Sequence, residues 1–306
     1  MNAVTELLGC RYPIIQGAMG VICNPELVAA VSEAGGYGLL ATAFASDNEA
    51  LRRQVQATRK LTDKPFGANL FAMNPLVQEF AGTLAEEGVR AVTVSGGSPK
   101  EIIPMLHEQG IKAIVVVPTT DVACKAEALG ADAIVAEGSE SGGMQGYKSA
   151  STIVLVPAVV DAVKIPVIAA GGIGDSRGYR AALALGAQGV QVGTRFIATR
   201  ECIAHDNYKN TIVQTEETGT GLVDMGRFRI RALRTPLVEE MLQGSAETSK
   251  AFSGPSAEAS WVKGDLDAGI LPAGEVSGLI SNVPSVREVI EEMVVYNSKF
   301  QIEVKP

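Results

Sequence analysis

The sequence predicts an α/β fold, and within that class a TIM (β/α)8 barrel, on three observations. Eight short apolar runs lie before residue 194, helix-like segments separate them, and several of those segments close on a glycine that ends the helical pattern. The runs are continuously apolar, with little alternation, as expected of parallel strands covered on both faces.

The elements follow in order. The first strand is expected at 13–16, and the helix after it, 25–34, ends on Glu33-Ala34-Gly35. Strand 38–42 leads into helix 48–61, and strand 66–71 into helix 75–87, which ends on Glu86-Glu87-Gly88. Strand 91–95 precedes a helix-like segment ending on Glu108-Gln109-Gly110, and strand 113–118 precedes helix 119–129, ending on Ala128-Leu129-Gly130. Strand 133–137 is followed by helix 153–163, and strand 166–170 by a segment ending on Ala184-Leu185-Gly186. The last strand is 189–193. A glycine in those positions can take the left-handed conformation that closes a helix before the next strand. The repeating unit is therefore βα, and eight of them fit a closed barrel better than an open sheet, which stays as the alternative.

Composition narrows the function. The 306 residues carry Lys+Arg 26 against Asp+Glu 34, a net charge of -8, which argues against a nucleic-acid binder. With 46% hydrophobic and 20% charged residues, the chain can bury a large core and is too apolar to be disordered. Cys10, Cys23, Cys124 and Cys202 form no C-x-x-C pair, and with two histidines no metal site is expected. The start of the chain lacks the pattern of a secretory leader, so a cytoplasmic protein is expected. The longest apolar stretch, 153–170, is interrupted by Pro157, Asp161, Lys164 and Pro166, so no membrane span is expected.

The glycines that do not close helices fall at strand ends, where a barrel places its chemistry. They are Gly17, Gly67 before Asn69, Gly96-Gly97, Gly138, Gly142-Gly143, Gly171-Gly172 and Gly193. Ala170-Gly171-Gly172-Ile173 and Gln191-Val192-Gly193-Thr194-Arg195 follow the seventh and eighth strands, where barrels frequently hold a phosphate on exposed backbone N–H groups. Each pair alone reads as a tight turn; two at these strands favour phosphate. No GxGxxG opens a βαβ unit and no GxxxxGK[ST] occurs.

Five motifs in register carry a resemblance. They are Tyr12-Pro13-Ile14-Ile15-Gln16-Gly17-Ala18-Met19, Asp63-Lys64-Pro65-Phe66-Gly67-Ala68-Asn69, Ala136-Glu137-Gly138, Ala169-Ala170-Gly171-Gly172-Ile173 and Gln191-Val192-Gly193-Thr194-Arg195-Phe196. Together they resemble the FMN-dependent family of enoyl-acyl-carrier-protein reductase II and nitronate monooxygenase (2-nitropropane dioxygenase). The likeness runs from about residue 4 to about residue 297 and includes Ala273-Gly274-Glu275-Val276-Ser277-Gly278-Leu279. It implies a smaller domain inserted after strand eight, at about 205–264, with the barrel formed by 1–204 and 265–306, and FMN at the barrel mouth. Carried over by motif, Gly17, Ala18 and Met19 would lie along the isoalloxazine ring and Asn69 would hydrogen-bond it. Glu137 would reach the flavin or its ribityl region, with Gly143 nearby in the following loop. Gln191 would lie close to the ring or ribityl chain, and Gly171, Gly172, Gly193 and Thr194 would hold the phosphate.

One departure bears on the reaction. The family's Gly-Gly-His-x-Gly loop after strand six reads Gly142-Gly143-Met144-Gln145-Gly146 here, and Met144 cannot transfer a proton as a histidine can. Tyr147, three residues on, is a candidate proton donor or an ordinary loop tyrosine. Ser95-Gly96-Gly97-Ser98-Pro99 stands where Gly-Ala-Gly-Asn-Pro is typical, which implies an altered substrate range. Cys23 is expected as a small buried residue near the pocket wall. His205 is expected to cap or pack, and His107 to lie at the surface.

Within the inserted region, Arg227, Arg229 and Arg231 have the spacing that places three guanidinium groups on one strand face. That face would take the phosphates of NAD(P)H, a phosphopantetheine arm or an acidic carrier, or else be a solvated charged surface. The small, polar 244–260 segment suggests a mobile lid.

The best-supported expectation is an FMN-dependent NAD(P)H oxidoreductase that reduces a 2-enoyl thioester on acyl-carrier protein or CoA. A nitronate monooxygenase-like flavin oxidase is the second reading, and a flavin-binding protein without catalysis the third. By analogy with the family a homodimer is expected, and the need for a monovalent cation is left open.

Overall fold

The computed structural model describes residues 2–244 and 251–295. Eight parallel strands carry the fold: β1 (Ile14–Gln16), β2 (Leu39–Ala41), β3 (Gly67–Phe71), β4 (Ala91–Ser95), β5 (Lys112–Val117), β6 (Ala133–Glu137), β8 (Val167–Ala170) and β9 (Gly189–Val192). Their spatial order is β1-β9-β8-β6-β5-β4-β3-β2. The ring closes through a parallel bridge between Ile15 and Tyr37, where Gln16 N–H donates to the Tyr37 carbonyl at 3.0 Å and Tyr37 N–H to that of Ile14 at 2.9 Å. The chain is thus a (β/α)8 barrel, with all eight expected strands within a residue or two of their positions in the sequence.

Alternation builds its two apolar layers. Ile15, Tyr37, Leu39, Ala91, Ile114, Ala133, Val135, Ile168 and Ala170 form one cluster. Their strand neighbours, such as Ile14, Leu40, Val92, Ile134 and Ala169, join a larger one with the surrounding helices. Successive strand residues point to opposite faces, so continuous apolar runs fill both the barrel interior and the sheath around it. Val4 and Leu8 of α1 (Ala3–Leu8) belong to the interior cluster.

The barrel helices are α2 (Pro25–Glu33), α3 (Asn48–Leu61), α4 (Val77–Glu86), α5 (Ile102–Glu108), α6 (Thr120–Ala128), α7 (Thr152–Ala162) and α8 (Ser176–Ala184). The expected punctuation is physical: Gly35, Gly88, Gly110, Gly130 and Gly186 all have φ between 70° and 96°. No helix among the described residues is long and apolar enough to cross a membrane, and no cluster of three or more His, Cys, Asp or Glu there could hold a metal ion.

A second, three-stranded antiparallel sheet stands beside the barrel mouth. It orders β10 (Thr220–Asp224), β11 (Arg229–Leu233) and β7 (Gly143–Gln145). Two strands come from the segment after β9, but the third is the loop after β6. Val223, Ile230, Ala232, Val238 and Met241 give this sheet its own apolar cluster with α11 (Pro236–Leu242). Of the expected 244–260 lid, residues 245–250 lie outside the described residues; α12 (Gly254–Ala257) and a π turn over Glu258–Val262 follow.

Candidate active site

A cavity of about 600 Å³ opens at the C-terminal ends of the barrel strands, within the range of small-molecule sites. Gly17, Ala18, Met19, Asn69, Glu137, Gly143, Gly171, Gly172, Gln191, Gly193 and Thr194 all line it, as does Met144.

One side of the cavity is backbone and amide. Gly171 and Gly172, with φ of 102° and 71°, carry the chain out of β8 in a conformation other residues rarely adopt. A Cβ on Gly193 would meet open space, so the backbone there faces the cavity directly. The Thr194 hydroxyl accepts from Gly274 N–H at 3.0 Å, which ties the C-terminal segment to this wall. Asn69 Nδ2 donates to Thr93 Oγ1 at 2.9 Å while its Oδ1 accepts from Ser95 Oγ at 3.1 Å, so the amide is held in one orientation. Gln191 Oε1 is buried without a hydrogen-bond partner among the described residues. A buried orphan acceptor is costly unless a ligand supplies a donor. Glu137 ends β6, and its burial pushes the carboxyl up to about 7, opposed by a hydrogen bond to Ser141.

The other side is aromatic. Phe44, Phe228, Phe252 and Trp261 line it, with ring centroids 5.6 Å apart for Phe44–Phe252 and 6.0 Å for Phe44–Trp261. The Trp261 indole N–H is satisfied by the Ile270 carbonyl at 2.8 Å. None of these rings was foreseen from the sequence. Apolar residues in loops and short turns have no periodicity; in the fold they close around Gly20, where a Cβ would come 2.9 Å from both Phe44 and Trp261.

Met144 reaches the cavity because its loop is a strand. In β7 it pairs opposite Ile230 of β11, with Gly143 opposite Arg231 and Gln145 opposite Arg229. The arginines therefore do something other than present one free face. Arg231 Nε donates to the Ser139 carbonyl at 2.9 Å, and its Nη1 pairs with Glu275 at 3.0 Å. Arg229 donates to the carbonyls of Gly146 and Tyr147 at 3.0 and 3.1 Å. Arg227 lies outside β11, exposed in the hairpin turn.

Tyr147 stands outside this cavity: its hydroxyl donates to Asp224 at 2.6 Å and half of the residue is exposed, at 50%. Cys23 is buried behind the first loop, where its sulfur accepts from Met19 N–H at 2.9 Å. His205 caps α10 (Asp206–Val213) by accepting from Asn207 N–H at 3.1 Å, and His107 pairs with Asp132 at 2.8 Å on the barrel exterior.

These residues fit FMN on their own chemistry. A glycine-built backbone wall suits a phosphate, the orphaned Gln191 carbonyl and the fixed Asn69 amide suit a ring system and polyol with mixed donors and acceptors, and Met19 supplies an apolar flank. Fold and site together define a barrel oxidoreductase of the flavin-dependent class. Within that class the chain belongs to the nitronate monooxygenase family, whose profile matches residues 1–87 and 81–295.

Individual relatives spread over more than one activity. The chain is 34% identical, over 96% of its length and 94% of the relative's, to (3aS,4S,5R,7aS)-5-hydroxy-7a-methyl-1-oxo-octahydro-1H-indene-4-carboxyl-CoA dehydrogenase of Rhodococcus jostii (strain RHA1). A Staphylococcus saprophyticus protein named "Probable nitronate monooxygenase" is 37% identical over 71% of this chain and 74% of its own. The structure of FabK from Thermotoga maritima superposes with a TM-score of 0.89 at 39% identity, covering 96% of this chain and 95% of that one.

Proposed function

We propose that the protein is an FMN-dependent oxidoreductase that uses NAD(P)H to reduce an activated C=C bond, its substrate a 2-enoyl thioester. The observation that carries this reading is β7, which presents Met144 to the cavity; no histidine is among the lining residues. A thioether neither accepts nor donates a proton, so the wall suits hydride transfer to an electrophilic carbon better than a reaction built on a histidine at this place. The CoA dehydrogenase likeness, over nearly the whole chain, supports a thioester-linked substrate.

Gly171, Gly172, Gly193 and Thr194 would hold the phosphate, Gln191 and Asn69 the ribityl chain and ring, and Met19 the ring's flank. Bound there, FMN would supply the two-electron transfer from NAD(P)H to the β-carbon of the enoyl group. The aromatic wall and Met144 keep water from the reacting atoms. Glu137, with a carboxyl at about 7, is partly protonated at neutral pH and offers a proton at the cavity wall for the α-carbon.

Anaerobic titration of FMN-loaded protein tests this directly. NADH or NADPH should bleach the flavin absorbance, and a 2-enoyl-CoA should restore it stoichiometrically. Turnover of propionate 3-nitronate without NAD(P)H, together with no response to enoyl thioesters, would establish the oxidase reading instead, which the family profile and the staphylococcal relative favour.

A further inference from the structure

A groove beside the main cavity has no part in the site described so far. It is bounded by Thr119 and Thr120 at the β5–α6 turn, by Tyr147 and Lys148 after β7, and by Val154 and Leu155 of α7. Pro118 and Ser149 line both this groove and the cavity, so the two adjoin there. Both flanking segments follow barrel strands on the mouth side.

The groove combines three chemistries. Its aliphatic surface comes from Ala150, Val154, Leu155 and Ala158, and Val154 is left 59% exposed. Its rim carries hydroxyls, from Thr119, Thr120 and Ser149. Its cation is Lys148, exposed and paired with no carboxylate among the described residues. The Arg229 guanidinium lies alongside, 3.3 Å from Ser149 Oγ and 5.5 Å from the centre of the exposed Tyr147 ring.

We propose that this groove binds the phosphopantetheine arm of the thioester substrate, with Lys148 on its phosphate and the thioester end entering the cavity past Pro118 and Ser149. The inference rests on the thioester reading and extends it: the arm is a long amide chain ending in a phosphate, and the groove offers aliphatic surface and hydroxyls together with an ammonium, Lys148, that pairs with no carboxylate among the described residues. The proposal moves the anion site expected on the Arg227–Arg231 face to the neighbouring segment, since Arg231 is engaged with Ser139 before β7 and Arg229 with Gly146 and Tyr147 after it.

Calorimetric titration of FMN-loaded protein with free CoA tests the groove without requiring turnover. Lys148→Glu should weaken CoA binding about tenfold, and Ala158→Trp, which fills the groove, should weaken it at least as much. Lys60→Glu, the same charge change at an exposed position on α3, which does not line the groove, is the control and should leave it unaltered. In steady-state assays, Lys148→Glu should lower the preference for an enoyl-CoA over the corresponding N-acetylcysteamine thioester by a similar factor. Equal CoA affinity in wild type, Lys148→Glu and Ala158→Trp would overturn the assignment. If CoA binding responds as expected but no enoyl thioester is reduced, the groove stands and the proposed reaction falls.

Discussion

Glu137 illustrates how much a single position sets. Its carboxyl sits at about 7 in the folded protein against an ordinary 4.5, because burial disfavours the charged form. The unfolded chain releases that proton near 4.5 and the folded one holds it until about 7, so this group's contribution to stability is full below 4.5 and is lost as pH rises between the two values. Glu137→Gln should remove this pH-dependent contribution, leaving the variant more stable than wild type at pH 8 by on the order of 1–3 kcal/mol and nearly equal at pH 4.5, in urea unfolding followed by circular dichroism. On the proposed function, Met144 bears on the reaction rather than the stability. Met144→His should produce measurable oxygen uptake with propionate 3-nitronate that the native protein lacks; equal uptake in both would remove the significance of the thioether. At this scale the sequence is informative where backbone chemistry is local. Gly171, Gly172 and Gly193 declare themselves because a strand end followed by glycine is a local pattern, whereas Phe44, Phe252 and Trp261 converge only through tertiary folding.

Among the elements, the strand β7 has the largest effect for its size. Three residues with a glycine among them have no readable period, so the sequence suggests a loop at 138–151. The i, i+2 arginines, by contrast, do announce a strand, and β11 contains Arg229 and Arg231 on one face; what the spacing could not disclose is that their partners are the carbonyls of Ser139, Gly146 and Tyr147. Arg231 is largely buried and paired with Glu275, so removing it leaves a carboxylate and a loop carbonyl without their donor. Arg231→Gln should cost about 2 kcal/mol in urea unfolding. It should also lower kcat more than it raises KM, because Met144 loses its register while the cavity's backbone wall is untouched. The exchange Arg231→Glu with Glu275→Arg should recover part of the stability.

At the scale of the whole molecule, the barrel was legible almost entirely, because each βα unit repeats the same apolar run and the same glycine stop. The sheet beside it was not, since it joins segments some 80 residues apart, with Met144 against Ile230. With Gln191 Oε1 buried and unpartnered among the described residues and the backbone open at Gly193, the proposed FMN site predicts that the free protein is less stable than the loaded one. FMN at a hundred times its Kd should add about 2.7 kcal/mol to the unfolding free energy. For a chain of this length, that corresponds to a rise in Tm of several degrees in a scanning fluorimetry experiment.

The borrowed strand also governs what can be exchanged between relatives. A graft of residues 206–262 alone would bring in a β11 whose partner stays behind, so that Met144 would be docked on a foreign edge. The transferable module is discontinuous, and segments 138–151 and 206–262 must travel together. A change of substrate choice on this scaffold should accordingly require a matched pair of segments, each constraining what the other can become.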